Sequence, residues 1–143
     1  MSERQVENYL REYLESIGWE MLNKPRRHGQ HGIDIKARKT RWNRYLYVEL
    51  KKDSKHASVR QTNINSALGQ IMIQMDKKGN IPNSSRIYAL GFPKTMQRLF
   101  INKFCGSHFG FRQLKLRTYW VSKSGEVEEL AYSQLLRLSQ QCN

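Results

Sequence analysis

A chain of 143 residues with 38% hydrophobic content is long enough to bury one sizeable core, and it reads as a single domain over residues 1–143. With 25 Lys and Arg against 12 Asp and Glu, its formal charge of +13 points to a polyanion as partner. No membrane is expected: no apolar run approaches a span, the basic residues do not gather on one amphipathic helix, and the polar amino terminus lacks a signal-peptide pattern. Cys105 and Cys142 have no metal-site spacing, as expected of a protein in a reducing cytoplasm.

In chain order, residues 2–17 carry Val6, Leu10, Tyr13, Leu14 and Ile17 at helical spacing, with Ser2 as N-cap and Gly18 as stop. Residues 19–22 read as a short strand before a basic loop. In residues 33–39 and 45–51, apolar and polar side chains alternate with period two, and the five residues between them can close a hairpin. A second helix is expected over residues 57–78, with Ile64, Ala67, Leu68, Ile71, Met72 and Met75 on one face and Gly79 and Pro82 ending it. Residues 86–92 read as a buried strand, 94–104 as a helix, 113–121 and 126–130 as strands joined by a turn, and 131–139 as a last helix. This order predicts an α/β domain, a central mixed sheet flanked by helices.

The most informative pattern is Gly32-Ile33-Asp34-Ile35, followed by Val48-Glu49-Leu50-Lys51. Period two puts Glu49 and Lys51 on one face of a strand, and the hairpin can bring Asp34 to that face. Two carboxylates can hold a hard cation such as Mg²⁺, while an adjacent ammonium can orient water or a scissile phosphate. As an isolated tripeptide, Glu-x-Lys is an ordinary solvated strand face; its context of leading helix, hairpin and second helix is what distinguishes it.

That constellation resembles the PD-(D/E)xK nucleases, the restriction-endonuclease-like superfamily, over roughly residues 5–92; the Pro that precedes the Asp there is replaced by Ile33. The resemblance implies that Asp34, Glu49 and the main-chain carbonyl of Leu50 coordinate Mg²⁺, with Mn²⁺ as substitute, and that Lys51 stabilises the attacking hydroxide or the phosphate charge. The opening helix looks like that of Mrr-like and resolvase-like nucleases, where a Glu eleven residues before Gly18 joins the metal site. Glu7 matches that position; Glu3, Glu12 and Glu15 are competing acids that read as solvated. The string Ala67-Leu68-Gly69-Gln70 looks like that of XisH-like excision factors, and either Gln61 or Gln70 could approach the site from a helix edge.

Arg26, Arg27, His28 and His31 in the basic loop, Arg41 and Arg44 around Trp42, and Lys52, Lys55 and Arg60 beside the site are the candidate DNA contacts. Duplex DNA is the expected substrate and a Mg²⁺-dependent endonuclease of restriction or homing type the expected activity. The alternatives are a Holliday-junction resolvase or a non-catalytic DNA-binding protein on the same scaffold. Cutting two strands implies a homodimer or homotetramer. Residues 93–143 are expected to hold subgroup-specific DNA-reading or oligomerisation elements, and their Phe100, Phe104, Phe109, Phe111, Tyr119, Trp120 and Tyr132 either to finish the core or to build that interface.

Overall fold

The computed structural model describes residues 1–26, 32–75 and 83–141. Helix α1 (Glu3–Ser16) starts at a capping box: the Gln5 amide donates to the Ser2 hydroxyl at 3.2 Å, and the Ser2 amide to the Gln5 side chain at 2.8 Å. Its stripe of Val6, Leu10 and Leu14 is fully buried. The chain leaves the helix through Gly18, whose φ of +99° only glycine adopts readily. Strands β1 (Glu20–Met21), β2 (Ile35–Lys39) and β3 (Arg44–Leu50) follow. The β2–β3 turn is a short 3₁₀ helix, Thr40–Trp42, closed by Asn43 in the left-handed region, which Asn tolerates.

Beyond the hairpin come α2 (Ala57–Met75), β4 (Arg86–Pro93), α3 (Gln97–Lys103), α4 (His108–Leu114), β5 (Arg117–Val121), β6 (Val127–Leu130) and α5 (Tyr132–Gln140). The six strands form one sheet in sequence order. Both outer pairings, β1–β2–β3 and β5–β6, are antiparallel, while β3, β4 and β5 run parallel. Pleating sorts their side chains into two layers. Helix α1 covers Ile35, Ala37, Leu46, Val48, Leu50, Ala89, Tyr119 and Val121 on one face. On the other face Tyr47, Tyr88, Leu90, Phe92 and Trp120 pack against α2 to α5. The mixed α/β sheet flanked by helices is the expected fold class.

Some expectations need correction. Residues 113–116 are not strand: the alternation of Leu114 and Leu116 with Lys115 belongs to the end of α4 and a turn with Lys115 at φ +50°. Helix α4, whose first turn holds two glycine-flanked aromatics, was not expected. Most of the aromatics beyond Pro93 finish the core. Phe100, Phe111, Tyr119 and Trp120 are buried, and rings of Phe92, Phe100, Phe104, Phe111 and Trp120 stack with centroids 4.8–6.4 Å apart. Phe109 and Tyr132 are exposed. Met72 is exposed as well, whereas Met75 packs against the core. The expected end of the second helix at Gly79 and Pro82 lies outside the described residues.

Helix α1 approaches β4 over Gly91, where a Cβ would stand 2.5 Å from Leu50 Cδ2 and 3.2 Å from Leu10 Cδ2. Both leucines are fully buried and cannot swing away. Gly91→Ala is therefore expected to destabilise the fold by about 1–3 kcal/mol through overpacking. Urea titration measures this, and an unchanged midpoint would show that α1 is not seated on β4 in this way.

Candidate active site

The register of the hairpin assembles the site. Ile35 pairs with Val48, so continuing one residue sets Asp34 across from Glu49, on the same face. Lys51 follows on that face two residues later. Asp34 is 6% exposed and Glu49 4%. Asp34 Oδ2 accepts the Leu50 amide at 2.8 Å, which fixes its carboxylate against the main chain of β3. The Lys51 amide donates to the Gly91 carbonyl at 3.1 Å, tying the end of β3 to β4.

Burial first, and then the negative Asp34 and a hydrogen bond to it, push the Glu49 carboxyl up to about 8. Lys51 and Arg26 pull it the other way, less strongly. Two buried carboxylates side by side cannot both ionise without added positive charge. Arg26 supplies some of it through an ion pair with Asp34 Oδ1.

The main chain of Asp34 is held from α1. Arg11 donates from Nη2 to the Asp34 carbonyl at 3.0 Å and from Nη1 to the Asn23 carbonyl at 2.7 Å. Asn23 Nδ2 donates to the Asp34 carbonyl at 3.1 Å, and Asn23 Oδ1 accepts the Lys36 amide at 2.9 Å. Glu7 enters here: its carboxylate pairs with Arg11 Nε at 2.7 Å. The structure thus places Glu7 behind Asp34, holding the arginine that holds the strand. The acid of α1 that feels Asp34 and Lys51 is Glu3, whose carboxyl is raised by half-burial first and then by Asp34. Spacing from Gly18 points to Glu7, and only the folded packing brings Glu3 under the influence of Asp34.

The remaining candidates are dispersed. Gln61 accepts a hydrogen bond from Lys103 at 2.6 Å, and Gln70 is exposed. Arg41 stacks over the exposed Trp42 ring, 5.3 Å from its centroid, at the hairpin tip, and Arg44 is exposed at the start of β3. Lys52 and Lys55 are exposed just beyond the site, and Arg60 pairs with Asp53 at 2.6 Å. Arg27, His28 and His31 lie outside the described residues, as does Cys142.

Among the described residues no group of three or more His, Cys, Asp and Glu side chains forms a metal cage. The donors the hairpin offers are two carboxylates and the neighbouring carbonyl of Leu50, all hard oxygens suited to Mg²⁺. A divalent cation would also supply the counter-charge that lets Asp34 and Glu49 ionise together, so the residues fit such an ion.

A mixed sheet with an acid pair and a lysine at the end of its central hairpin defines a restriction-endonuclease-like domain. The comparisons agree. A restriction endonuclease family, the Mrr catalytic domain, matches residues 1–87, and the chain belongs to that family. Two solved structures share the fold. An XisH family protein from Nostoc punctiforme is 17% identical, with a TM-score of 0.59 over 87% of this chain and 96% of that one. An fdxN element excision controlling factor protein from Anabaena variabilis is 16% identical, with a TM-score of 0.63 over 90% and 98%. No curated protein sequence matches. Among the described residues no helix is long and apolar enough to cross a membrane.

The raised Glu49 sets a pH dependence. Folding binds its proton more tightly than the unfolded chain does, so this stabilisation is full below about 4.5 and is lost as pH rises through about 8. Glu49→Gln removes that loss. Melting temperatures measured without divalent ions from pH 5 to 8 are expected to fall more steeply for the native chain than for the variant. Parallel profiles would show that Glu49 ionises normally.

Proposed function

We propose that this chain is a Mg²⁺-dependent endonuclease that hydrolyses phosphodiester bonds in duplex DNA, cutting at specific sites as restriction and homing enzymes do. The observation that carries the reading is the buried Asp34–Glu49 pair beside Lys51, in a chain of the restriction endonuclease family with a charge of +13. A buried, mutually repelling acid pair is costly to maintain for structure alone. When bound, a divalent cation supplies a Lewis acid that makes water nucleophilic at neutral pH. Asp34, Glu49 and the Leu50 carbonyl hold the cation in this scheme. Lys51 steadies the charge that builds on phosphate, and Arg11 with Glu7 keeps the Asp34 main chain from shifting.

The competing reading, a DNA-binding protein without catalysis, draws on one feature: Arg26 already pairs with Asp34, so part of the buried charge is satisfied from within. The two part on a direct assay with purified protein, long duplex DNA and Mg²⁺. The nuclease gives discrete fragments, and Asp34→Asn or Lys51→Ala is expected to slow cleavage about 10²-fold or more while both variants still retard DNA in Ca²⁺. Intact but retarded DNA with the native chain would establish the binding protein instead.

Coordinated cutting of both strands calls for a second copy of Asp34, Glu49 and Lys51, so the active form in this proposal is a homodimer or homotetramer. Sedimentation on DNA is expected to give at least two chains per complex. One chain per complex, with both strands cut, would remove the oligomer from the scheme.

A further inference from the structure

We propose that a cavity at the carboxyl-terminal edge of β3, β4 and β5 holds the sugar-phosphate of one nucleotide of the bound DNA strand, next to the scissile position. The proposal rests on the nuclease reading for its substrate. In open sheets the connections diverge beyond the carboxyl ends of parallel strands and leave a crevice where ligands collect. Here that crevice has a volume of about 430 Å³, lined by Asp53 and Lys55 after β3, Lys94 and Thr95 after β4, Lys123 after β5, and Arg60 from α2. The volume suits a small organic group and exceeds what a bare phosphate fills.

The lining says which part of a nucleotide it takes. It includes no aromatic ring on which a base could stack; four cationic side chains and the hydroxyls of Ser54 and Thr95 offer the chemistry of backbone contact, and Met1, Pro93 and Val121 offer an apolar wall for a sugar. Its carboxylate, Asp53, is engaged on both oxygens. Oδ1 accepts Arg60 Nε at 2.6 Å and the Ser54 amide at 2.7 Å, and Oδ2 accepts Arg60 Nη2 at 3.2 Å and the Thr95 hydroxyl. These bonds outweigh its burial and hold its carboxyl below the usual range. Asp53 therefore orients Arg60 and Thr95 rather than repelling a phosphate. Lys94 pairs with Glu128 at 2.8 Å. Lys55 and Lys123 are exposed and enter no ion pair among the described residues.

Asp53 lies two residues beyond Lys51, at most about 7 Å along the chain, comparable with the separation of neighbouring phosphates on one strand. Lys94, Thr95 and Lys123 lie outside residues 1–87, the span the family match covers. The part of the chain beyond the family match thus supplies the cavity walls after β4 and β5.

A deoxynucleoside 5′-monophosphate, titrated without metal into the isotope-labelled full chain, tests this by amide resonance shifts. Saturable shifts are expected at Lys55, Thr95 and Lys123, with none from the matching nucleoside. Lys55→Ala/Lys123→Ala should weaken binding roughly tenfold or more, whereas Lys115→Ala, one charge at the opposite sheet edge, should not. A short duplex should displace the monophosphate. Shifts centred elsewhere, equal shifts from the nucleoside, indifference to the double variant, or a duplex that leaves the monophosphate in place would each overturn the proposal. No cleavage is needed, so failure of the nuclease reading shows separately, as phosphate binding in this cavity by a protein that leaves DNA intact.

Discussion

Asp34 and Glu49 face each other across a hairpin, both out of water, and much of the nearby structure serves to make that tolerable. Each carboxylate alone would be expensive to bury, and together they repel. The protein answers locally, with the Leu50 amide and Arg26 on Asp34 and a retained proton on Glu49. It also answers at longer range. Arg11 reaches from α1 to the Asp34 carbonyl, and Glu7 neutralises that arginine, so its guanidinium enters the interior already paired. Removing one member of such a chain leaves its neighbour unpaired, and for this reason the group behaves as a unit.

Packing holds the unit in register. Leu50 donates its amide to Asp34 and presents its side chain to Gly91 and α1. The same residue thus couples the acid pair to the seating of the helix. A shift of α1 over β4 would carry Arg11 and Glu3 with it and change the packing around the Leu50 side chain. The rigid core of leucines and valines under α1 is therefore part of how the site keeps its geometry.

The hairpin and its acids were legible from sequence because strands write themselves with period two: Ile35, Ala37, Leu46, Val48 and Leu50 fall on one face without exception. Helix α1 was legible for similar reasons, through its cap and its Val6, Leu10, Leu14 stripe. Residues 108–114 were not, because seven residues with Gly110 among them show little helical period and Leu114 joined the alternation of the strand that follows. Spacing from Gly18 singled out Glu7, but burial and pairing are tertiary facts, and they join Glu7 to Arg11 and bring Glu3 under the influence of Asp34. Sequence left either Gln61 or Gln70 free to approach the site, without revealing that Lys103, more than forty residues on, would take the Gln61 side chain. The aromatics beyond Pro93 were open between core and interface, since composition records how much apolar area exists and not what covers it.

The positive charge shows the same division between local and global information. Counting gives +13, yet several of these cations are engaged by acids: Arg11 by Glu7, Arg26 by Asp34, Arg38 by Glu20, Arg60 by Asp53, Lys94 by Glu128 and Arg117 by Glu129. Such pairs hold the fold or shape its cavities, and a rim-exposed pair adds little stability of its own. What remains for a polyanion is narrower and better placed, with Lys52 and Lys55 just after Lys51 and the end of the strand that carries Glu49. In the proposed function a backbone drawn to those lysines would reach the end of β3, beside Asp34 and the protonated Glu49. Under that proposal attraction of the phosphate and restraint of the acids would meet at one edge of the sheet, and an ion that relieved the acids would also reduce their repulsion of an incoming strand.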